Sequence, residues 1–429
     1  MTWKYLTLLN AMLQILSTVG LGSIMGWAGV LKEHEFVRMT VHFIFYVALP
    51  CLVLNGIGIG VDFYSNKFLW MYILAFFLLR AIALIIVITI ICLANWMAKE
   101  RRYSLGHVAV AWLALTWIST VIVGIPISTA VLGNAQKGRF YGLLAGISSF
   151  IFQLPLQLAF FECHVLDSDS AAEEKITSDE EKTAEQCVIS SQDRKMSQAS
   201  QIACISPVEM EQGLVCEKVE PASDEAQFSL QTKTEKRWWV LIGGKYVNSR
   251  DMWIGILCRV IRNPVLWGIF WGFVLSLSTA GKYLNPKPEN PYYIEGLGWI
   301  SSLLTWLGDT VSPLSLFTMG VWLQAQGMRH LLFSIPPPML ALYMLSKLVL
   351  VPLLMVGLAK LLSLESEVGR AAVLIASLPI SLASFSLGHQ YRIGEAVLAA
   401  NVAIGTLLML PTVLIWNIVM DSLNLFRVV

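Results

Sequence analysis

Apolar residues run along this chain in long, nearly uncharged blocks rather than in the one-sided stripes of surface helices or the alternation of half-buried strands. A helix needs about 20 apolar residues to cross a hydrocarbon core of roughly 30 Å, and about ten blocks meet that length. They fall at about 6–31, 37–60, 67–96, 107–133 and 138–161, then at about 253–279, 296–324, 336–362, 370–390 and 394–420. Each predicts a transmembrane helix, so the expected fold is an all-α polytopic membrane protein.

The blocks come in two sets of five separated by residues 162–252. That separator begins with an acidic, serine-rich run from Asp167 to Glu185, has few aromatics before Phe228 and carries no sustained hydrophobic period. It reads as a largely disordered hydrophilic loop. The expected organisation is a first five-helix repeat over 1–161, this loop over 162–252 and a second five-helix repeat over 253–429. An odd number of spans per half makes the halves enter the membrane from opposite sides, so a repeat would be inverted. Matched residues support one: Gly22 and Gly26 answer Gly268 and Gly272, Pro50 answers Pro313, Pro126 answers Pro379, and Pro155 answers Pro411.

Composition agrees with a membrane protein. Of the 429 residues 56% are hydrophobic and 14% charged, against roughly 25% charged in an ordinary soluble domain. A formal net charge of +1 leaves no basic excess for nucleic acid, which is excluded as a partner. The first block is too long for a signal-peptide core of roughly 7–15 residues and is expected to remain as a span. Basic residues at the end of the separator place that loop in the cytoplasm and both termini outside, by the positive-inside rule. The membrane itself is open between endoplasmic reticulum and plasma membrane.

Of the seven cysteines, Cys51, Cys92 and Cys258 lie in or at blocks, Cys163 at a block end, and Cys187, Cys204 and Cys216 in the loop, without CxxC spacing. This argues against a metal site and a disulfide framework. No HExxH, GxSxG, Walker or dinucleotide motif occurs, so neither an enzyme nor a bound cofactor is expected.

The candidate chemistry lies in a motif that occurs twice, Gly124-Ile125-Pro126-Ile127-Ser128 and Ser377-Leu378-Pro379-Ile380-Ser381. Proline removes a backbone donor and clashes with the preceding turn, and lipid cannot satisfy the carbonyls it frees. Two such breaks at matched positions predict a crossover of broken helices 4 and 9, whose half-helix N-termini could hold an anion. Ser119, Thr120, Gly124, Pro126, Ser128, Pro379, Ser381 and Ser384 are the candidate substrate-binding residues. The plainer reading is a pair of kinks whose hydroxyls bond back to their own helices. Arg80 and Lys347, deep in the third and eighth blocks, could compensate an anionic substrate or the carbonyls of the broken helices, or serve only to cap helix ends. Asp309 could couple a proton or cation or cap a helix, and His389 could carry a proton or lie at the interface.

Taken in order, several stretches carry a family resemblance: Val123-Gly124-Ile125-Pro126, Leu132-Gly133-Asn134, Ile261-Arg262-Asn263-Pro264, Asp309 to Gly320, Lys347 to Pro352, Ala376-Ser377-Leu378-Pro379 and Leu407 to Pro411. In these the chain resembles the auxin efflux carrier family, which includes PIN and PIN-LIKES proteins. The resemblance implies ten spans in two inverted repeats, a scaffold beside a transport domain, and a homodimer. It also implies elevator-type export of an organic anion such as indole-3-acetate without an ATPase. Two positions depart from the family pattern: Ser119 stands where PIN-type carriers have an asparagine, and Ser384 where they have a second proline. The expected function is therefore a secondary transporter of a small carboxylate. The alternative is a membrane receptor that binds such a ligand and signals through the loop.

Overall fold

The computed structural model describes residues 2–59, 67–98, 103–165, 249–278, 280–286, 290–327, 335–364 and 366–426. Most of the hydrophilic segment expected over 162–252 lies outside them. Met1–Phe161 with Ile256–Val429 form one compact unit, and Glu162–Gly255 are assigned to a second.

Every regular element among the described residues is helical. The longer elements are α1 (Thr2–Trp27), α2 (Glu35–Ile59), α3 (Lys67–Ala98), α4 (Leu105–Thr116), α5 (Gly124–Leu132), α6 (Ala135–Val165), α7 (Ser249–Ile261), α8 (Pro264–Leu277), α9 (Gly298–Asp309), α10 (Val311–Gln326), α11 (Pro337–Leu361), α12 (Ser366–Ala376), α13 (Leu382–Tyr391) and α14 (Glu395–Ser422). Six of them, α1, α2, α3, α6, α11 and α14, are long and apolar enough to cross a membrane singly. A seventh candidate is the pair α7 and α8, bent by 62° at Arg262 and Asn263. Asn263 caps α8 by accepting from the Val265 N–H at 3.0 Å, and Pro264 begins it, so the bend follows from local chemistry. The other three expected spans are each two shorter helices, α4 with α5, α9 with α10, and α12 with α13.

Proline leaves a second signature that periodicity does not reveal. The helix widens to a π turn at Ile44–Ala48, Ser149–Gln153 and Ser346–Leu350, ending in each case two residues before Pro50, Pro155 or Pro352. A proline ring cannot accept the tight approach of the carbonyl four residues back, and widening the preceding turn relieves that clash without ending the helix.

Small residues set the closest helix contacts. Gly320 of α10 lies where a Cβ would strike the Val19 carbonyl of α1, and Gly22 of α1 lies likewise against the Phe317 carbonyl. Ser23 Oγ donates to the Gly320 carbonyl at 3.0 Å across the same seam. In α8, a Cβ at Gly268 would sit 3.0 Å from the main chain of Pro50, and one at Gly272 would sit 3.2 Å from Ile57. Lipid offers no hydrophobic drive for helices to associate, so close backbone packing at such seams supplies much of the attraction. The glycines matched by sequence position thus make matching contacts, α1 on α10 and α8 on α2.

Candidate functional site

Trp117–Val123 and Ser377–Ser381 interrupt the helices where the twin motifs stand. The two breaks run antiparallel and pair through the main chain: the Ser119 N–H donates to the Pro379 carbonyl at 3.0 Å, and the Ser381 N–H to the Trp117 carbonyl at 2.9 Å. Pro379 lies in the extended break, where it needs no N–H donor. Pro126 lies in the first turn of α5, where a missing donor costs little. Ser381 caps α13, its Oγ accepting from the Ala383 N–H at 3.4 Å.

A cavity of about 70 Å³ opens at this pairing, room for about five waters at roughly 10–15 Å³ each. Residues 117–122 of the first break, Ser381 of the second and Leu382, Ala383 and Ser386 of α13 contribute to its wall. The remaining wall comes from α2 (Val41, Ile44, Phe45, Leu49), α6 (Ser149, Phe150) and α10 (Val311, Ser315, Thr318, Met319). Among the described residues the main-chain N–H groups of Val121, Ile122 and Leu382 have no protein acceptor. Val121 and Ile122 belong to the turn leading into α5, and Leu382 begins α13. The positive end of the α13 dipole therefore meets this small space, with the turn that leads into α5 beside it.

The candidate hydroxyls divide by their partners. Ser119 and Thr120 line the cavity and make no side-chain hydrogen bond among the described residues. Ser128 does not line it: its Oγ is held between the Gly124 carbonyl at 2.6 Å and the Gly138 carbonyl at 2.7 Å, tying α5 to α6. Ser384 is likewise fully buried and donates to the Ser381 carbonyl at 2.6 Å. Gly124 packs against Ile375 and Leu378 and does not reach the cavity wall.

Arg80 is fully buried on α3, and acceptors on α3 and α6 engage all its donors. Nε donates to Gln153 at 3.1 Å, Nη1 to the Phe76 carbonyl at 3.0 Å and Ser148 at 2.5 Å, and Nη2 to the Ala145 carbonyl at 3.3 Å and to Ser149. Gln153 passes the connection on to Thr116, the last residue of α4, at 2.8 Å. Lys347, 2% exposed inside the π turn of α11, donates from Nζ to the carbonyl of Ala376, the last residue of α12, at 3.2 Å. A cation at a helix C-terminus opposes the negative end of the dipole. Both bases thus serve the helix that enters a break, Lys347 directly and Arg80 through Gln153, and neither lines the cavity.

Asp309, at the end of α9, pairs with Arg139 of α6 and is half-exposed. His389 is exposed and meets Glu395 across the α13–α14 turn at 2.9 Å. Both stand outside the cavity wall.

With the geometry in place, the chain can be set beside known proteins. The family described as membrane transport protein matches residues 7–417. The chain belongs to this family. The family is one of membrane transporters, and the apolar helices make this member an integral multi-pass membrane protein. It is similar to a protein named for malonate transport from Rhizobium meliloti (strain 1021), at 28% identity over 172 residues, 40% of this chain and 48% of that protein. It is also similar to auxin efflux carrier component 8 of Arabidopsis thaliana, at 28% identity over 130 residues, 29% of this chain and 35% of that protein. The matches span about half of the first relative's length and about a third of the second's.

Sequence reasoning missed the contribution of α10 to the site in this family member. Ser312, Ser315 and Thr318 recur every third residue, which puts them on one helix face. Ser312 Oγ reaches the Val121 carbonyl of the first break at 3.4 Å, and the other two line the cavity. That spacing, which brackets Pro313, was the available signal.

Proposed function

We propose that this member of the membrane transport protein family is a secondary transporter of a small organic carboxylate, and that the cavity between the paired breaks holds the substrate. The observation that carries this reading is that the N-terminus of α13 and the turn leading into α5, with main-chain N–H groups that have no protein acceptor among the described residues, border a hydroxyl-bearing space lined by no charged side chain among those residues. Such an arrangement favours an anion without requiring a buried cation beside it. Apolar walls from α2, α6 and α10 would accept the hydrocarbon part of the ligand. The names of the two relatives, one for malonate and one for auxin efflux, both point to carboxylates. Indole-3-acetate and malonate are therefore the substrates to test.

In this reading the three interrupted segments are spans as well, which gives ten spans in two inverted five-helix repeats, with the breaks of spans 4 and 9 crossing. The matched seams of α1 on α10 and α8 on α2 support that symmetry. Alternating access would move the paired breaks as a unit against the remaining helices, an elevator-type motion in a homodimer, with export as its direction. Counterflow in proteoliposomes tests the transport reading: preloaded unlabelled malonate or indole-3-acetate should drive transient accumulation of the labelled acid. Binding of the labelled acid without accumulation would overturn the transporter and favour a receptor.

A further inference from the structure

Ser315 is the anomaly of the cavity. A serine in an apolar helix normally donates to the carbonyl one turn back, as Thr318 does to Leu314 at 2.7 Å. Ser315 lines the cavity, and its buried hydroxyl has no hydrogen-bond partner among the described residues. A polar group left in that state weakens folding, so its presence calls for a partner that arrives from outside the chain. The bond from Ser312 to the Val121 carbonyl holds this face of α10 against the first break. Ser119 and Thr120, also without side-chain partners, line the same space.

We propose that Ser315 is a ligand-binding residue that donates its hydroxyl hydrogen to a carboxylate in this cavity, forming with Ser119 and Thr120 a cradle of three neutral donors drawn from α10 and the first break. The proposal rests on the carboxylate reading above and adds a residue and a selectivity to it. Water could also satisfy a hydroxyl, but the N-terminus of α13 and the unbonded main-chain N–H groups of Val121 and Ile122 at the same space favour an anion over a neutral guest. The Arg80 donors are all engaged, and Lys347 is directed at Ala376. Recognition in the cavity thus falls to neutral donors. A hydrogen bond to a carboxylate is roughly twice as strong as one to a neutral acceptor, so the cradle discriminates an acid from its amide.

The test is equilibrium binding of labelled malonate and of labelled indole-3-acetate to the purified full chain, with thermal unfolding of the same samples. Wild type should bind at least one of the two acids, and malonamide should not compete. Ser315→Ala should weaken binding at least tenfold, the size of one hydrogen bond to a charged group. Its melting temperature without ligand should stay at or above that of wild type, because an unsatisfied buried hydroxyl has been removed. Ser301→Ala, which removes a remote hydroxyl already bonded to the Gly298 carbonyl, should bind as wild type. Binding by Ser315→Ala within twofold of wild type overturns the proposal, and so does lost binding with a lowered ligand-free melting temperature, which would mark a structural hydroxyl. If wild type binds neither acid, the carboxylate cradle is wrong. Acid binding that depends on Ser315, without counterflow, would leave this assignment standing and remove only transport.

Discussion

Replacing Pro379 by alanine probes the pairing of the two breaks. Alanine restores an N–H that can reach the Ile375 carbonyl, four residues back and already the acceptor for Leu378 at 3.1 Å, and so adds a turn to α12. Proline in a helix interior costs about 3 kcal/mol relative to alanine. The two main-chain bonds of the pairing contribute about 0.5–1.5 kcal/mol each, so about 1–3 kcal/mol together. Pro379→Ala therefore removes a barrier as large as the pairing it protects, and moves the balance between paired break and continued helix by about 150-fold. Ile118 and Ile380 face each other as a non-hydrogen-bonded antiparallel pair, with an expected Cα separation of about 4.5 Å, which suits a disulfide. In a background with the seven native cysteines replaced, Ile118→Cys with Ile380→Cys should crosslink readily under mild oxidation. Adding Pro379→Ala should cut the yield sharply, and Pro379→Ala alone should abolish counterflow. Unchanged crosslinking with normal transport would refute the claim that proline holds the break open.

Other substitutions separate binding from support. Ser119→Ala should weaken carboxylate binding with little effect on stability, whereas Ser128→Ala, which removes the buried hydroxyl that donates between the Gly124 and Gly138 carbonyls, should cost about 1–3 kcal/mol of stability and leave binding affinity unchanged; equilibrium binding and thermal unfolding read the two effects. Lys347→Met gives up a charged hydrogen bond of about 1.5–3 kcal/mol and a dipole contribution of up to about 2 kcal/mol. It also removes a base whose insertion costs about 2.5–3.5 kcal/mol, so unfolding should move by no more than about 2 kcal/mol either way while counterflow falls at least tenfold. Gly320→Leu drives a side chain into the Val19 carbonyl, and detergent-solubilised yield and melting temperature should both drop, by the several kcal/mol expected where backbone meets backbone.

Much of the fold was legible because lipid imposes one rule, unbroken apolar length, and exceptions stand out against it. The twin prolines, their hydroxyl neighbours and the glycine pairs are such exceptions, and the structure places them at the paired breaks and the closest seams. What was not legible depends on partners distant in sequence. Ser119 and Ser128 look alike along the chain, yet Ser128 finds the Gly138 carbonyl on α6 and the Ser119 hydroxyl finds no partner among the described residues. Arg80 looks free for an anion until Gln153, Ser148 and Ser149 of α6 take up its donors. Asp309 looks like a buried acid, but Arg139 meets it at the edge of the helices. The π turns before Pro50, Pro155 and Pro352 shift the helical register by one residue, which a fixed period of 3.6 cannot represent.

The main-chain pairing of Ser119 with Pro379 and of Ser381 with Trp117 also bears on biogenesis. If the interrupted segments are spans, as proposed, the first break enters the membrane long before the second has been made. Until then the Ser119 N–H and the Trp117 carbonyl lack the partners they have in the finished protein, in surroundings where an orphan polar group is costly. The nascent first half must keep that segment hydrated, helical or shielded by the insertion machinery. The site would then be among the last parts of the molecule to form, completed only when the penultimate stretch of the chain arrives.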